Sequence, residues 1–274
     1  MAAQAKHGGG RDAMKVVILC GGQGTRIRGV TDDLPKPMIP IGGYPILWHI
    51  MRGYAVHGFK DFVLCLGYKS HVIKDFFLNY QTRIGDFTID FAHGAEIALE
   101  AKRPDIDWRV TLAETGRDTL TGSRIKRIER YIGSDDCFML TYGDGVSDID
   151  LNALVAFHRE RKPLVTVSGV RPPGRFGELE HDAGGRLTEF NEKPQTTAGR
   201  ISGGFFVCDR RLFDHFEAGR EDQVLESDSL PRLAREGQVA MYAHDGFWQC
   251  MDTSRDYSLL NDMYERGRAP WVTW

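Results

Sequence analysis

Apolar residues fall into short solid runs separated by stretches of helical period, and the two kinds alternate along the first half of the chain. Val16-Val17-Ile18-Leu19 is apolar at every position, the pattern of a strand buried on both faces of a parallel sheet. Pro45-Ile46-Leu47-Trp48-His49-Ile50-Met51 continues through Tyr54 and Ala55 at helical spacing, with Gly58 as its stop signal. Asp61-Phe62-Val63-Leu64-Cys65-Leu66-Gly67 reads as a second buried strand and 69–80 as a second helix. Strand-like runs recur at 87–91, 110–114 and 137–142, with helical stretches near 124–131 and 151–161. Strands separated by helices predict an α/β fold, a mostly parallel central sheet with helices on both faces and right-handed crossovers.

The second half changes texture. Runs at 164–170, 177–180, 187–190 and 204–208 are shorter and bounded by turn residues such as Asp182-Ala183-Gly184-Gly185, which predicts hairpins grafted on the sheet and mixed strand direction. A last strand at 239–243 and a helix at 256–266 lead to Pro270-Trp271-Val272-Thr273-Trp274. Two tryptophans seldom stay solvated, so this tail is expected to pack on its own chain or on a neighbouring subunit of a homo-oligomer. Residues 1–13 lack an apolar run long enough for a signal-peptide core and are expected to be a flexible leader; 14–274 are expected to form one domain.

Composition narrows the field. At 274 residues and 42% hydrophobic the chain can bury a large core, and its formal charge of −3, with basic residues dispersed among acidic ones, offers no attraction for nucleic acid. No segment reads as a membrane span. Of the five cysteines, which form no C-x-x-C pair, most lie in apolar runs and are expected to be buried thiols, in keeping with a reducing cytoplasm. The nine histidines show no helical i, i+4 pair, so none is assigned to a transition metal.

The candidate chemistry begins where the first strand ends. In Leu19-Cys20-Gly21-Gly22-Gln23-Gly24-Thr25-Arg26 the glycines let backbone N–H groups converge on phosphate oxygens, and Arg26 and Lys36 add cations to the same mouth. A P-loop is excluded because no lysine follows the glycines until Lys36, and Ile27 stands where the dinucleotide fingerprint needs its third glycine. A nucleoside triphosphate cradle remains, and a tight strand-to-helix turn is the plainer alternative. Asp144, in Tyr142-Gly143-Asp144-Gly145, ends another strand and is expected on the same rim. Mg²⁺ prefers one or two carboxylates plus phosphate oxygens and water; Asp252 is the expected second, with helix capping as its alternative role. Glu192-Lys193-Pro194 ends a strand at a proline and presents Lys193 at a rim, where it is either simply solvated or a point charge for an anionic co-substrate, and Gly203-Gly204 permits close backbone approach to a ligand or marks a β-bulge.

Together with Lys36-Pro37-Met38, Gly203-Gly204-Phe205-Phe206 and Met251-Asp252-Thr253, these motifs resemble the sugar-1-phosphate nucleotidyltransferases. Pro45-Ile46-Leu47-Trp48-His49-Ile50-Met51, Pro173-Gly174-Arg175-Phe176-Gly177 and Ala269-Pro270-Trp271 are most similar to the glucose-1-phosphate cytidylyltransferases among them. The resemblance implies a Rossmann-like nucleotidyltransferase fold and transfer of a cytidylyl group from CTP to a sugar 1-phosphate, giving CDP-sugar and pyrophosphate. It places CTP over Leu19, Cys20, Gly21, Gly22 and Gln23, its phosphates on Gly24, Thr25, Arg26 and Lys36, with further contacts from Thr119, Arg124 and Gly143. It makes Asp144 and Asp252 the Mg²⁺ ligands and Lys193 the sugar-phosphate lysine, with Glu192, Ser202 and Gly203 beside it. Ser202 stands where the family has Asn, Ser123 where it has Gly and Cys250 where it has Pro. Another triphosphate (UTP or dTTP), a metal-dependent glycosyltransferase and a catalytically silent nucleotide sensor are the alternatives on the same scaffold.

Overall fold

The computed structural model describes residues 14–22, 33–99, 106–172, 178–181, 186–191 and 199–274. Seven strands pair into one sheet: β1 (Val16–Leu19), β2 (Asp61–Leu66), β3 (Arg109–Glu114), β4 (Cys137–Tyr142), β5 (Val165–Val170), β6 (Ile201–Asp209) and β7 (Val239–His244), in the order β7-β5-β6-β4-β1-β2-β3. β6 runs antiparallel to β4 and β5, and the other strand pairs are parallel. The sheet is therefore mixed and mostly parallel, as expected.

Eight α-helices are described: α1 (Ile46–Val56), α2 (Ser70–Leu78), α3 (Tyr80–Ile84), α4 (Thr121–Arg127), α5 (Glu129–Ile132), α6 (Leu151–Arg161), α7 (Leu230–Arg235) and α8 (Ser254–Glu265). The solid apolar runs follow from burial on both faces. Val16 and Ile18 of β1 pack into a cluster with Leu47 and Met51 of α1 and Leu154 of α6. Val17 and Leu19, one pleat away, pack into another with Ile125, Ile128 and Ile132 of the α4–α5 segment.

Several expectations change. The 87–91 run is a strand only over Phe87–Asp90 and pairs with Glu96–Leu99 in a hairpin outside the main sheet; every residue of Phe87–Asp90 is exposed, so it lacks the burial a central strand needs. The 164–170 and 204–208 runs, expected as grafted hairpins, lie inside the sheet as β5 and β6 because their side chains are buried on both faces. Glu178–His181 and Leu187–Asn191 do form a separate hairpin. The expected 69–80 helix breaks at Asn79 and the 124–131 helix at Ile128.

The aromatic tail packs on its own chain. Trp271 is 2% exposed, stacks on Phe247 at 5.4 Å and donates its Nε1 hydrogen to His49 Nδ1, while Trp274 meets Trp48 edge-on. His49 donates Nε2 to the Ile41 carbonyl and is held neutral by burial, which pulls its pKa down to about 4. That histidine is a packing residue, as expected.

Candidate active site

Parallel register places the site. Leu19 at the end of β1 lies opposite Cys65 of β2 and Tyr142 of β4, so the chain leaves all three strands at one rim. Cys20 N donates to the Cys65 carbonyl and Gly143 N to the Leu19 carbonyl, which hold the departing segments together. Beyond this rim opens a cavity of about 500 Å³. Leu19, Cys20, Gly21, Gly22 and Gly143 line its sheet side, Thr119 comes from the segment entering α4 and Arg124 from α4 itself. Lys36, Asp144 and Asp252 close the other side. Gln23, Gly24, Thr25, Arg26, Glu192 and Lys193 lie outside the described residues. Ser202, exposed, and Gly203, buried, sit on β6 outside this lining; the Gly203 carbonyl accepts the Trp248 indole hydrogen at 2.7 Å.

Arg124 explains one of the glycines. Its side chain is buried, and Nη1 donates to the carbonyls of Leu66 and Gly116 and to Thr115 Oγ1, while Nη2 donates to the carbonyls of Gly21 and Arg117. One guanidinium thus ties together the segments that leave β1, β2 and β3. A Cβ on Gly21 would lie 2.1 Å from Nη1, and one on Gly67 2.6 Å from it. Glycine at these positions makes room for the arginine, a tertiary requirement at Gly21 beyond any approach of phosphate to its N–H. Gly22 has open space instead.

The two aspartates are brought together by a two-stranded ribbon. Gly145–Ser147, directly after Asp144, pairs antiparallel with Trp248–Cys250, with Cys250 opposite Gly145. Met251 N donates to the Asp144 carbonyl at 2.8 Å, so Asp144 and Asp252 emerge side by side. Lys36 opens the short helix Lys36–Met38 between Pro35 and Pro37, and its Nζ donates to Asp144 Oδ2 at 2.6 Å and also to Asp252 Oδ1. Burial by itself would pull this ammonium down; the charges and hydrogen bonds of Asp144 and Asp252 outweigh it and hold the pKa above the ordinary lysine value.

Helix capping is carried elsewhere. Thr253 caps α8 in a capping box with Asp256, and Asp150 caps α6 through Ala153 N. Asp148, the other aspartate near α6, pairs with His244 at 2.9 Å. Cys250 donates its thiol hydrogen to Asp252 Oδ2, and burial with the neighbouring Asp252 charge pushes that thiol up to about 12. Among the described residues no group of three or more His, Cys, Asp or Glu side chains is arranged to hold a metal; the acidic lining of the cavity is the Asp144 and Asp252 pair. All five cysteines are free; Cys20, Cys65 and Cys208 are buried as expected, whereas Cys137 and Cys250 are only half-buried.

Sequence reasoning did not single out Leu120 or Glu226. Leu120 lines the cavity, and Glu226 binds two of its wall residues from a distant turn. Neither lies in a motif, and a glutamate in a polar stretch carries no local signal. A second hollow of about 350 Å³ lies between α1 and Gly145–Leu151, but its lining contains no lysine or arginine to meet a phosphate.

A family model described as nucleotidyl transferase matches residues 15–266. The glucose-1-phosphate cytidylyltransferase of Salmonella typhi is 45% identical over 262 residues, covering 95% of this chain and 100% of that protein. The enzyme of the same name from Salmonella typhimurium is also 45% identical over 262 residues, with the same coverage. Among solved structures, HddC from Yersinia pseudotuberculosis, seen also complexed with GMP-PN, superposes with a TM-score of 0.66 at 22% identity, covering 92% of this chain and 99% of its own. That likeness concerns the fold. Among the described residues no helix is long and apolar enough to cross a membrane.

Proposed function

The chain belongs to the nucleotidyl transferase family, and from that premise we propose that it transfers the cytidylyl group of CTP to a sugar 1-phosphate, releasing pyrophosphate and a CDP-sugar. Glucose 1-phosphate or a related hexose phosphate is the acceptor. Full-length likeness to two cytidylyltransferases supports the choice of base and sugar. The observation that carries the chemistry is the convergence of Asp144, Asp252 and Lys36 beside the Gly21–Gly22 rim.

The donor set fits Mg²⁺. Two carboxylates converge on one cation, here the Lys36 ammonium, and a divalent ion bound by one or two carboxylates would complete its shell with phosphate oxygens and water. When bound, the ion supplies neutralisation of charge on the transferring phosphoryl group. Asp144 and Asp252 would hold it.

An oxygen of the sugar phosphate attacks the α-phosphorus of CTP in line; the new P–O bond forms as the bond to the β-phosphate oxygen breaks, and pyrophosphate leaves with the electron pair. No protein nucleophile is required, because the attacking oxygen is already ionised. Catalysis consists of alignment and charge neutralisation. Leu19, Cys20, Gln23, Thr119, Arg124 and Gly143 hold the nucleoside, and Gly21, Gly22, Gly24 and Thr25 its phosphates. Arg26 and Lys36 neutralise the leaving pyrophosphate, and Lys193 orients the incoming phosphate, with Glu192, Ser202 and Gly203 on the sugar side. The proposed setting is the cytoplasm, with residues 14–274 acting as one unit in a homo-oligomer.

The test is a screen of four nucleoside triphosphates against several sugar 1-phosphates, with pyrophosphate release followed and products identified by mass. CTP with a hexose 1-phosphate is expected to give the highest kcat/KM and a CDP-hexose. Release of a nucleoside diphosphate from a nucleotide-sugar donor, or nucleotide binding without turnover, would replace this reading by a glycosyltransferase or a sensor.

A further inference from the structure

Leu225–Ser229 forms a single π-helical turn that runs into α7 at Leu230-Pro231. Such turns are rare and occur frequently at functional sites. This one carries Glu226, an exposed carboxylate that nevertheless holds two hydroxyls of the cavity wall. Thr121 Oγ1 donates to Oε2 at 2.6 Å, and Tyr142 Oη donates to Oε1. Thr121 opens α4, and Tyr142 ends β4 immediately before Gly143 and Asp144; both line the cavity.

The carboxylate is fixed from several directions. Thr121 Oγ1 also accepts the Leu225 N–H at 2.9 Å, which closes the turn onto α4. The Tyr142 ring lies over Gly204, whose φ of +75° and closeness to the ring, 2.4 Å from a would-be Cβ, leave space for no larger residue. Phe206 meets the ring edge-on at 6.0 Å. Tyr142 and Glu226 are thus a built pair rather than a chance surface contact.

A negative charge held against two residues of the cavity wall repels phosphate, so it suits an uncharged part of a substrate. A carboxylate has about four acceptor sites, and one protein hydroxyl on each oxygen leaves capacity on both. The uncharged donors that the two substrates carry in number are ring hydroxyls.

We propose that Glu226 is a specificity residue that accepts a hydrogen bond from a ring hydroxyl of a substrate, either the ribose of the nucleotide or the hexose of the acceptor, with Tyr142 and Thr121 holding its carboxylate in place. The inference rests on the nucleotidyl-transfer reading above.

The experiment measures kcat/KM for the wild-type chain, Glu226→Ala and Glu226→Gln, with CTP against its 2′- and 3′-deoxy forms and with the preferred hexose 1-phosphate against its deoxy forms. Failure of the wild-type chain to make any nucleotide-sugar would sink the reaction itself, separately from the role of Glu226. In the wild type one deoxy substrate is expected to be used ~10- to 100-fold less well than its parent, the usual penalty for leaving such an acceptor unpaired. In Glu226→Ala that ratio collapses towards unity, and Glu226→Gln, which keeps one acceptor oxygen, falls between. Collapse in the CTP arm identifies the ribose, and collapse in the acceptor arm the hexose. Ratios that stay the same in all three proteins, even with turnover uniformly lowered, would overturn the proposal and leave Glu226 a structural residue. Should Glu226→Ala fail to fold, Glu226→Gln carries the same comparison.

Discussion

Gly21→Ala tests how the nucleotide rim is built. The added Cβ would lie 2.1 Å from Arg124 Nη1, 2.3 Å from Cζ and 2.8 Å from Nη2, where non-bonded heavy atoms normally stay ~3.5 Å apart. The guanidinium must withdraw by more than about 1 Å, beyond hydrogen-bond reach of several of its acceptors, which are the carbonyls of Gly21, Leu66, Gly116 and Arg117 and the Thr115 hydroxyl. Hydrogen bonds to a charged group contribute ~1.5–3 kcal/mol each. Water from the open cavity replaces some of them, so a net loss equivalent to one or two bonds is expected, ~2–4 kcal/mol. For a chain of this size that lowers Tm by roughly 5–15 °C. Gly22→Ala is the internal control, since its Cβ meets nothing within 4 Å and the change should stay within ~1 kcal/mol. Thermal unfolding of both variants by calorimetry, with CTP affinity by titration, makes the comparison. A double variant with Arg124→Ala should be no less stable than Arg124→Ala alone, because the collision has gone. Equal Tm values for Gly21→Ala and Gly22→Ala, or additive losses in the double variant, would refute the account.

Asp144→Asn should cut turnover ~100-fold or more while leaving the fold intact, since Lys36 keeps Asp252 as a partner; near-normal turnover at limiting Mg²⁺ would contradict the metal assignment. Lys193→Ala should weaken binding of the sugar 1-phosphate far more than binding of CTP, and equal losses in direct titrations would remove the assigned division of labour. His49 supplies a pH test. Its folded pKa is pulled down to about 4, so between about pH 6.5 and 4 the unfolded chain binds a proton that the folded chain does not. Stability should fall by up to ~3 kcal/mol as pH drops through that window and then cease to change on this account. His49→Gln should flatten that limb of the Tm profile, and an unchanged limb would show that His49 is not its source.

Much of the scaffold was legible because its signals are local. A strand buried on both faces is a solid apolar run whatever its neighbours are, so β1, β2 and β4 could be recognised at Val16–Leu19, Asp61–Leu66 and Cys137–Tyr142. Helical period with a glycine stop marked α1. Glycines after a strand announced a sharp turn, and parallel register then required Gly21, Gly143 and Asp144 to share a rim.

What the local pattern left open was the partner of each element and of each charge. Apolar runs at 164–170 and 204–208 look alike as hairpins or as sheet strands, and only pairing with β4 and β7 made them part of the sheet. Phe87–Asp90 has a strand's composition, yet every residue of it is exposed and it pairs only into a separate hairpin outside the main sheet. Capping was ambiguous for Asp252 until Thr253 and Asp256 formed the capping box. Lys36 meets carboxylates 108 and 216 residues away, and Arg124 reaches the Gly21 carbonyl across 103. Burying a charge is costly unless partners converge on it, and convergence from distant segments is a property of the packed chain. Residue type and spacing therefore determined which side chains could do phosphate chemistry, whereas the pairing of Gly145–Ser147 with Trp248–Cys250 and the saturation of buried charge decided which of them meet.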